Sequence, residues 1–196
     1  MKKLNEKGIV KIIEDDPWMI RVLKAAESLN LPDWWIGGGF IRSKVWDHLH
    51  GFEKRTDLPD VDIIYFDKND FSRSEANKFS TRAEDKYQEK LNNLIPEVKW
   101  SVTNQARMHN YHKRKPYKNS GEALSEWSET ATCVAVQIRD GKLTFLAPYG
   151  IKDLVDLNVR PIPEYKRIFA FDPGVFERRL NEKKWKEKWP KLRIAY

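Results

Sequence analysis

The amino-acid sequence predicts an α/β fold, a mixed central sheet flanked by helices, and three stretches carry that expectation. Residues 34–49 read as a short apolar strand, a glycine triplet and then apolar residues at helical spacing. Residues 61–66, Val-Asp-Ile-Ile-Tyr-Phe, form a strand apolar on both faces, as a central strand of a covered sheet would be. The dipeptide Asp140-Gly141 suits a tight turn between two further strands.

Taken in order, Asp16-Pro17 followed by Trp18, Met19, Val22, Leu23 and Ala26 gives an N-cap, a proline in the first turn and a helical apolar stripe, predicting a helix over about 16–30. Trp34 to Gly37 is the first strand. Phe40, Ile41, Val45, Trp46 and Leu49 then recur at helical spacing, so Gly37-Gly38-Gly39 is a strand-to-helix turn. A charged helix is expected from about Ser72 to Leu91, a strand over Val98 to Thr103, and a short helix or turn over Asn104 to His112. The basic loop His112-Lys113-Arg114-Lys115-Pro116 precedes a capped helix, Ser120 to Trp127. Thr130 to Ile138 pairs with Leu143 to Ala147 as a hairpin. A short helix over Ile151 to Leu157 and a basic helix from about Asp172 to Trp189 complete the chain.

A length of 196 residues suits one well-filled core, so a single domain over 1–196 is expected. Hydrophobic residues make up 40% and there are eight tryptophans, enough apolar surface to offset the entropy of ordering the chain. Cys133 is the one cysteine, which excludes an internal disulfide, argues against a cysteine-based zinc site and fits a reducing compartment. Residues 1–8 are charged without a following signal-type apolar run, and no stretch approaches the ~20 apolar residues of a membrane span, so the expected location is the cytoplasm. A net charge of +7 points to an anionic partner, a nucleoside triphosphate or a nucleic acid; spread thinly, the same charge also serves solubility.

Asp60 and Asp62 are the strongest chemical signal. Strand period puts both carboxylates on one face while Val61 and Ile63 point to the other, making an oxygen-rich site suited to Mg2+ or Mn2+. Magnesium takes one or two protein carboxylates and completes its octahedron with water and phosphate oxygens. Upstream, the turn Gly37-Gly38-Gly39 lacks β-carbons and opens a helix, so a phosphate can approach its backbone N–H groups. Arg42, one turn in, is placed to reach the same phosphates with its planar guanidinium. The four histidines lie in two close pairs without a cysteine or HExxH context, which disfavours zinc. The C-terminal run Arg178-Arg179, Lys183-Lys184, Lys186, Lys188, Lys191 and Arg193, interleaved with Trp185 and Trp189, has an RNA-binding composition. The reading favoured here is an amphipathic helix with buried tryptophans and solvated lysines.

Gly38-Gly39-Phe40-Ile41-Arg42 followed by Asp60-Val61-Asp62 on a strand is similar to the head-domain signature of the CCA-adding tRNA nucleotidyltransferases, within the polymerase-beta-like superfamily. Residues 100–109, Trp-Ser-Val-Thr-Asn-Gln-Ala-Arg-Met-His, with Gly150-Ile151-Lys152-Asp153-Leu154, Lys184-Trp185 and Trp189-Pro190, resemble a bacterial nucleotidyltransferase-like family that consists of such a head domain. That likeness runs from about Trp34 to Leu192 and implies the nucleotidyltransferase fold. It implies that Asp60 and Asp62 are catalytic and bind metal, that Gly37, Gly38, Gly39 and Arg42 bind triphosphate, and that Arg107 and His109 point toward the phosphates. Asn104 and Gln105 would meet base or sugar. The implied reaction moves a nucleoside monophosphate from an NTP to an acceptor hydroxyl, the acceptor being RNA, a protein side chain or a small alcohol. Two departures stand out. A third acid of the superfamily site has Ser101 at its expected place, with Glu97 the alternative, and the Arg-Asp pair that helps read ribose is replaced by Ser128-Glu129-Thr130. These departures motivate a second reading, an NTP–Mg2+ sensing module, and the basic surface a third, an RNA-binding protein.

Overall fold

A computed structural model describes residues 4–70, 80–111 and 114–196. The expected start of the charged helix at Ser72, and His112 and Lys113 of the basic loop, lie outside those residues. Two helices come first, α1 (Glu6–Glu14) and α2 (Pro17–Glu27), then β1 (Trp35–Gly37), α3 (Gly39–His50), β2 (Val61–Tyr65), α4 (Arg82–Leu94) and β3 (Trp100–Asn104). A 3-10 turn, Gln105–Arg107, leads into α5 (Met108–Tyr111) and α6 (Ser120–Ser125), followed by the hairpin β4 (Ala135–Arg139) and β5 (Lys142–Leu146). The remainder holds α7 (Lys152–Val155), β6 (Asn158–Val159), α8 (Tyr165–Ile168), α9 (Val175–Lys183), α10 (Trp185–Lys188) and β7 (Arg193–Ile194).

The α/β expectation holds, and the sheet is mixed. Five strands lie in the order β3-β2-β1-β4-β5, with β2 and β3 parallel and the other neighbours antiparallel. Its register sorts side chains cleanly. Ile36, Val61, Ile63, Val102, Val136 and Ile138 join the main core with residues of α1 to α4, whereas Trp35, Ile64, Ala135 and Leu124 form a smaller cluster on the opposite face. Asp62 shares that second face with Ile64, two residues on along the strand.

Local chemistry explains most boundaries. Asp16 caps α2 by accepting from the Met19 amide at 3.2 Å, and Asn30, at φ 51°, turns the chain after the helix ends. Thr81 and Glu84 cap α4 reciprocally, each side chain accepting from the other's backbone N–H, so this helix begins at Arg82. Asp140 and Gly141, at φ 51° and 73°, make the expected two-residue hairpin turn. Helix α1 was not foreseen, although Asn5 caps it and Ile9 and Ile13 are wholly buried. The basic C-terminal segment is not one helix: Lys184 adopts a left-handed φ of 49° and breaks it into α9 and α10.

That break aims the end of the chain back at α3. Trp185 and Trp189 both pack edge-on against Trp46, with ring centroids 5.9 and 5.1 Å away. The Trp189 indole N–H donates to Asp47 Oδ1 at 2.7 Å, and Asp47 also accepts from the Thr56 amide and hydroxyl at 2.9 and 2.6 Å. One buried carboxylate thereby ties α10 and the loop before β2 to α3.

Candidate active site

The second face of the sheet and the returning helices α9 and α10 enclose a cleft of about 460 Å3. Asp60 and Asp62 stand on one wall, with Ile64, Thr103 and Gln105 along the sheet, and Arg179, Lys183 and Lys188 are contributed from the helices. Gly39, Arg42 and Trp127 also border it.

The two aspartates meet as their strand period requires. Partial burial, and next the charge of Asp60, push the Asp62 carboxyl up to about 6, against an ordinary value of 3.8. Opposing shifts come from a Ser101 hydrogen bond and from the charges of Lys183 and Arg42. Ser101 lies directly beside Asp62 in the parallel pairing, where its hydroxyl favours the ionised carboxylate. Glu97 pairs with Arg21 at the surface and is absent from the lining of this cleft, although it borders a neighbouring depression together with Asp60, Trp18 and Lys99. Among the described residues no group of three or more His, Cys, Asp or Glu side chains could hold a metal ion by itself. Two hard carboxylate oxygen donors facing an open cleft fit Mg2+ or Mn2+ whose other ligands are water and substrate phosphate.

The glycine triplet divides its work. A β-carbon at Gly37 or Gly38 would lie 3.0 or 2.7 Å from the Trp127 ring, and Gly38 has φ 55°. These two glycines therefore seat an indole and turn the chain. Gly39 differs, since a β-carbon there would meet only Arg42 Nη2 at 3.7 Å and Leu58 at 4.0 Å, and it borders the cleft. Of the expected phosphate cradle, the structure brings Gly39 alone to the cleft wall.

Arg42 is nearly fully buried. Its Nη1 donates to Thr132 Oγ1 at 2.8 Å, its guanidinium lies 4.5 Å from the Trp185 ring centroid and 5.2 Å from that of Trp46, and its Nε has no partner among the described residues. Burial pushes its pKa down to about 10, opposed first by the nearby Glu129 carboxylate, so it stays charged near neutrality.

Arg107 is not brought to the cleft. The 3-10 turn after β3 directs it toward α4, where Nε donates to Glu84 Oε1 at 3.2 Å and Nη2 to the other carboxylate oxygen, while Gln105 takes the cleft-facing place. Asn104 is likewise structural, its side chain bridging Asp67 and the Ala106 amide. His109 hydrogen-bonds through Nδ1 with the Ala106 carbonyl and packs near Tyr117.

From the sequence, Lys183 and Lys188 are expected on a solvated face, and Arg179 only within the basic run. Their signal was available: Arg179 and Lys183 are four residues apart, on one side of α9. What the sequence did not show is the turn at Lys184 and the docking that points this side at the aspartates. The tryptophans behave as expected, Trp185 and Trp189 being buried.

The sequence profile of the nucleotidyltransferase family matches residues 24–194. An NMR structure reported to reveal a CCA-adding enzyme head domain superposes with a TM-score of 0.80 at 26% identity, covering 99% of this chain and 97% of that one. The Thermotoga maritima CCA-adding enzyme complexed with tRNA gives a TM-score of 0.56 at 17% identity over 96% of this chain, and a CCA-adding enzyme complexed with ATP gives 0.53 at 17% identity. This chain covers 42% of each of those two enzymes. Comparison with curated protein sequences finds no match. Among the described residues no helix is long and apolar enough to cross a membrane. With the profile spanning most of the chain and the fold of a CCA-adding head domain around its two aspartates, the protein belongs to the nucleotidyltransferase family.

Proposed function

We propose that the protein transfers a nucleoside monophosphate from an NTP to an acceptor hydroxyl with release of pyrophosphate, using Mg2+ or Mn2+ held by Asp60 and Asp62. The observation that carries this reading is the two-sided cleft: paired carboxylates on a strand share it with Arg179, Lys183 and Lys188. Metal bound there with the triphosphate would neutralise phosphate charge and lower the pKa of the attacking hydroxyl. The chain's own groups do the rest. Arg42 and Arg179, with Lys183 and Lys188, bind and orient the β and γ phosphates and offset the charge gathering on pyrophosphate as the bond between the α-phosphorus and its bridging oxygen breaks. Gly39 lets the triphosphate approach the start of α3. Trp127 and Gln105, which also border the cleft, would meet base and sugar in this reading.

The family and the net positive charge support NTP and RNA as partners. ATP and tRNA are bound by the CCA-adding enzymes that share the fold, whose remaining length has no counterpart in this chain. The buried, unpaired Cys133 suits a reducing compartment and hence the cytoplasm. Ser101 beside Asp62 favours one second reading, a module that binds NTP–Mg2+ without turning it over. Purified protein incubated with each α-labelled NTP, Mg2+ or Mn2+ and total RNA or lysate separates the two. Label transferred covalently to an acceptor supports the enzyme, and saturable binding without transfer supports the sensor.

A further inference from the structure

Glu129 has no place in the cleft lining, yet it is the only carboxylate pairing with a cleft cation among the described ion pairs, and it is 0% exposed. It sits on the turn before β4, where its own carbonyl accepts from the Thr132 and Cys133 amides at 2.9 and 3.1 Å. Ser128 Oγ donates to its Oε1 at 2.7 Å. The carboxylate is thus held from its backbone and from its neighbour before any ligand arrives.

Arg179 meets it side-on. Nε donates to Oε1 at 2.6 Å and Nη2 to Oε2 at 3.2 Å, a fork that uses one edge of the planar guanidinium. The remaining nitrogen, Nη1, takes no hydrogen-bond partner among the described residues, and Arg179 borders the cleft with its side chain 30% exposed. The same carboxylate is the largest favourable charge on buried Arg42, whose other close cation is Arg179. One buried anion therefore serves two arginines, with Asp62 the next carboxylate that both of them feel. The edge of Arg179 that Glu129 leaves unused is on the partly exposed, cleft-bordering side chain, where an anionic ligand can reach it.

We propose that Glu129 is a positioning residue for phosphate binding: it clamps one edge of Arg179 so that the opposite edge is presented to the pyrophosphate portion of the substrate. The inference rests on the nucleotide reading above and adds the device that orients its cationic wall. Groups placed in advance by a supporting shell bind without the loss of side-chain freedom that a mobile arginine would incur.

The test is calorimetric binding of Mg2+–pyrophosphate to the full chain, compared among the parent, Arg179→Met, Glu129→Gln, the double variant and Glu129→Asp. Arg179→Met is expected to weaken binding roughly tenfold to a hundredfold, the size of a charge-assisted hydrogen bond. Glu129→Gln, which keeps Arg179, is expected to lose a similar factor. In the Arg179→Met background the loss should be clearly smaller, because most of its effect passes through that arginine and only the remainder through the charge it presents to Arg42. Glu129→Asp should recover part of the loss. Mn2+ binding measured alone should be the same in all variants. Should Glu129→Gln fail to fold, the double variant, whose pair is neutral, and Arg179→Met still decide. Equal affinity in Arg179→Met and the parent overturns the inference, as does a Glu129→Gln loss of the same size in both backgrounds, the mark of a purely structural role. A parent that does not bind Mg2+–pyrophosphate overturns the nucleotide reading as well, so the two failures are told apart.

Discussion

The carboxylate and cation sides of the cleft are held by different physics. Asp60 and Asp62 stand at the entrance to and on a strand within a five-stranded sheet, where the β3 ladder holds Asp62 and pairing on both sides begins one residue further on, at Ile63. Arg179, Lys183 and Lys188 ride on a broken helix whose placement depends on side chains: Trp185 and Trp189 against Trp46, Trp189 on Asp47, and Arg179 on Glu129. A sheet-borne wall survives the loss of any one side chain, whereas the helix-borne wall hangs from a few buried anchors. On the proposed reading, the cation wall is therefore where docking, stability and anion binding would be linked.

Trp189→Ala is the largest perturbation of that contrast. Its ring is 2% exposed, packs on Trp46 and satisfies Asp47, so removal should cost about 3–5 kcal/mol in denaturant unfolding. Pyrophosphate binding should fall with it while Mn2+ binding at the aspartates persists. Equal loss of both ligands would show that the two walls are not independent.

Asp62→Asn probes the other wall, with the opposite sign for stability. The native pKa of Asp62, about 6, lies above its ordinary 3.8, so the folded protein binds the extra proton between those values. Its contribution to stability accordingly falls as pH rises from about 4 to about 6, and the penalty is complete above that. The asparagine variant should be more stable than the metal-free parent at pH 7 by up to about 3 kcal/mol, the shift of roughly two units converted, and the gain should vanish near pH 4. Metal binding should be lost in the variant, and in the parent should weaken as pH drops below about 6. A variant less stable than the parent at pH 7 would mean that Asp62 is not under like-charge repulsion.

The same contrast governs what was legible beforehand. The aspartate pair could be read because strand period is local: two residues apart means one face, whatever surrounds the sheet. The glycine turn was found for the right backbone reason, but the neighbour of Gly37 and Gly38 is an indole from position 127, and nothing within the turn announces it. Arg107 was expected near phosphate because it follows the right strand. One 3-10 turn rotates it onto Glu84, itself readable as a capping residue had the start of α4 been placed correctly. Arg179 and Lys183 required knowing that Lys184 takes a left-handed conformation and that Trp189 has a partner 142 residues earlier in the chain. Contacts at such separation leave no periodic trace.

The glycine reading can be sharpened by paired substitutions. Gly38→Ala forces a β-carbon to within 2.7 Å of Trp127 at positive φ and should destabilise by about 1–3 kcal/mol. Gly39→Ala meets only ordinary contacts and lies in α3, so its stability should change by less than about 1 kcal/mol. If Gly39 admits phosphate, that variant should still lose pyrophosphate affinity. If Gly38→Ala leaves the melting temperature untouched, the indole seat is wrongly assigned.

Ser101→Ala is expected to have the smallest effect, and its sign is informative. Removing the hydroxyl takes away a polar neighbour that favours ionised Asp62, so the carboxyl pKa should rise further and the metal-free protein should lose only about 0.5–1.5 kcal/mol at pH 7. Below pH 4 both forms of the protein carry a protonated Asp62 and the difference should shrink, because the lost bond matters chiefly to the charged form. Bound metal supplies the missing compensation, so the deficit should also shrink when Mn2+ is added. A pH titration of unfolding free energy, with and without Mn2+, checks both. Ser101→Asp then asks whether the position is merely a hydrogen-bond donor: a third carboxylate beside Asp62 should lower metal-free stability at pH 7 and tighten Mn2+ binding. Weaker Mn2+ binding in that variant would mean the added group crowds the pair without reaching the ion, which would leave the serine as the residue the site requires.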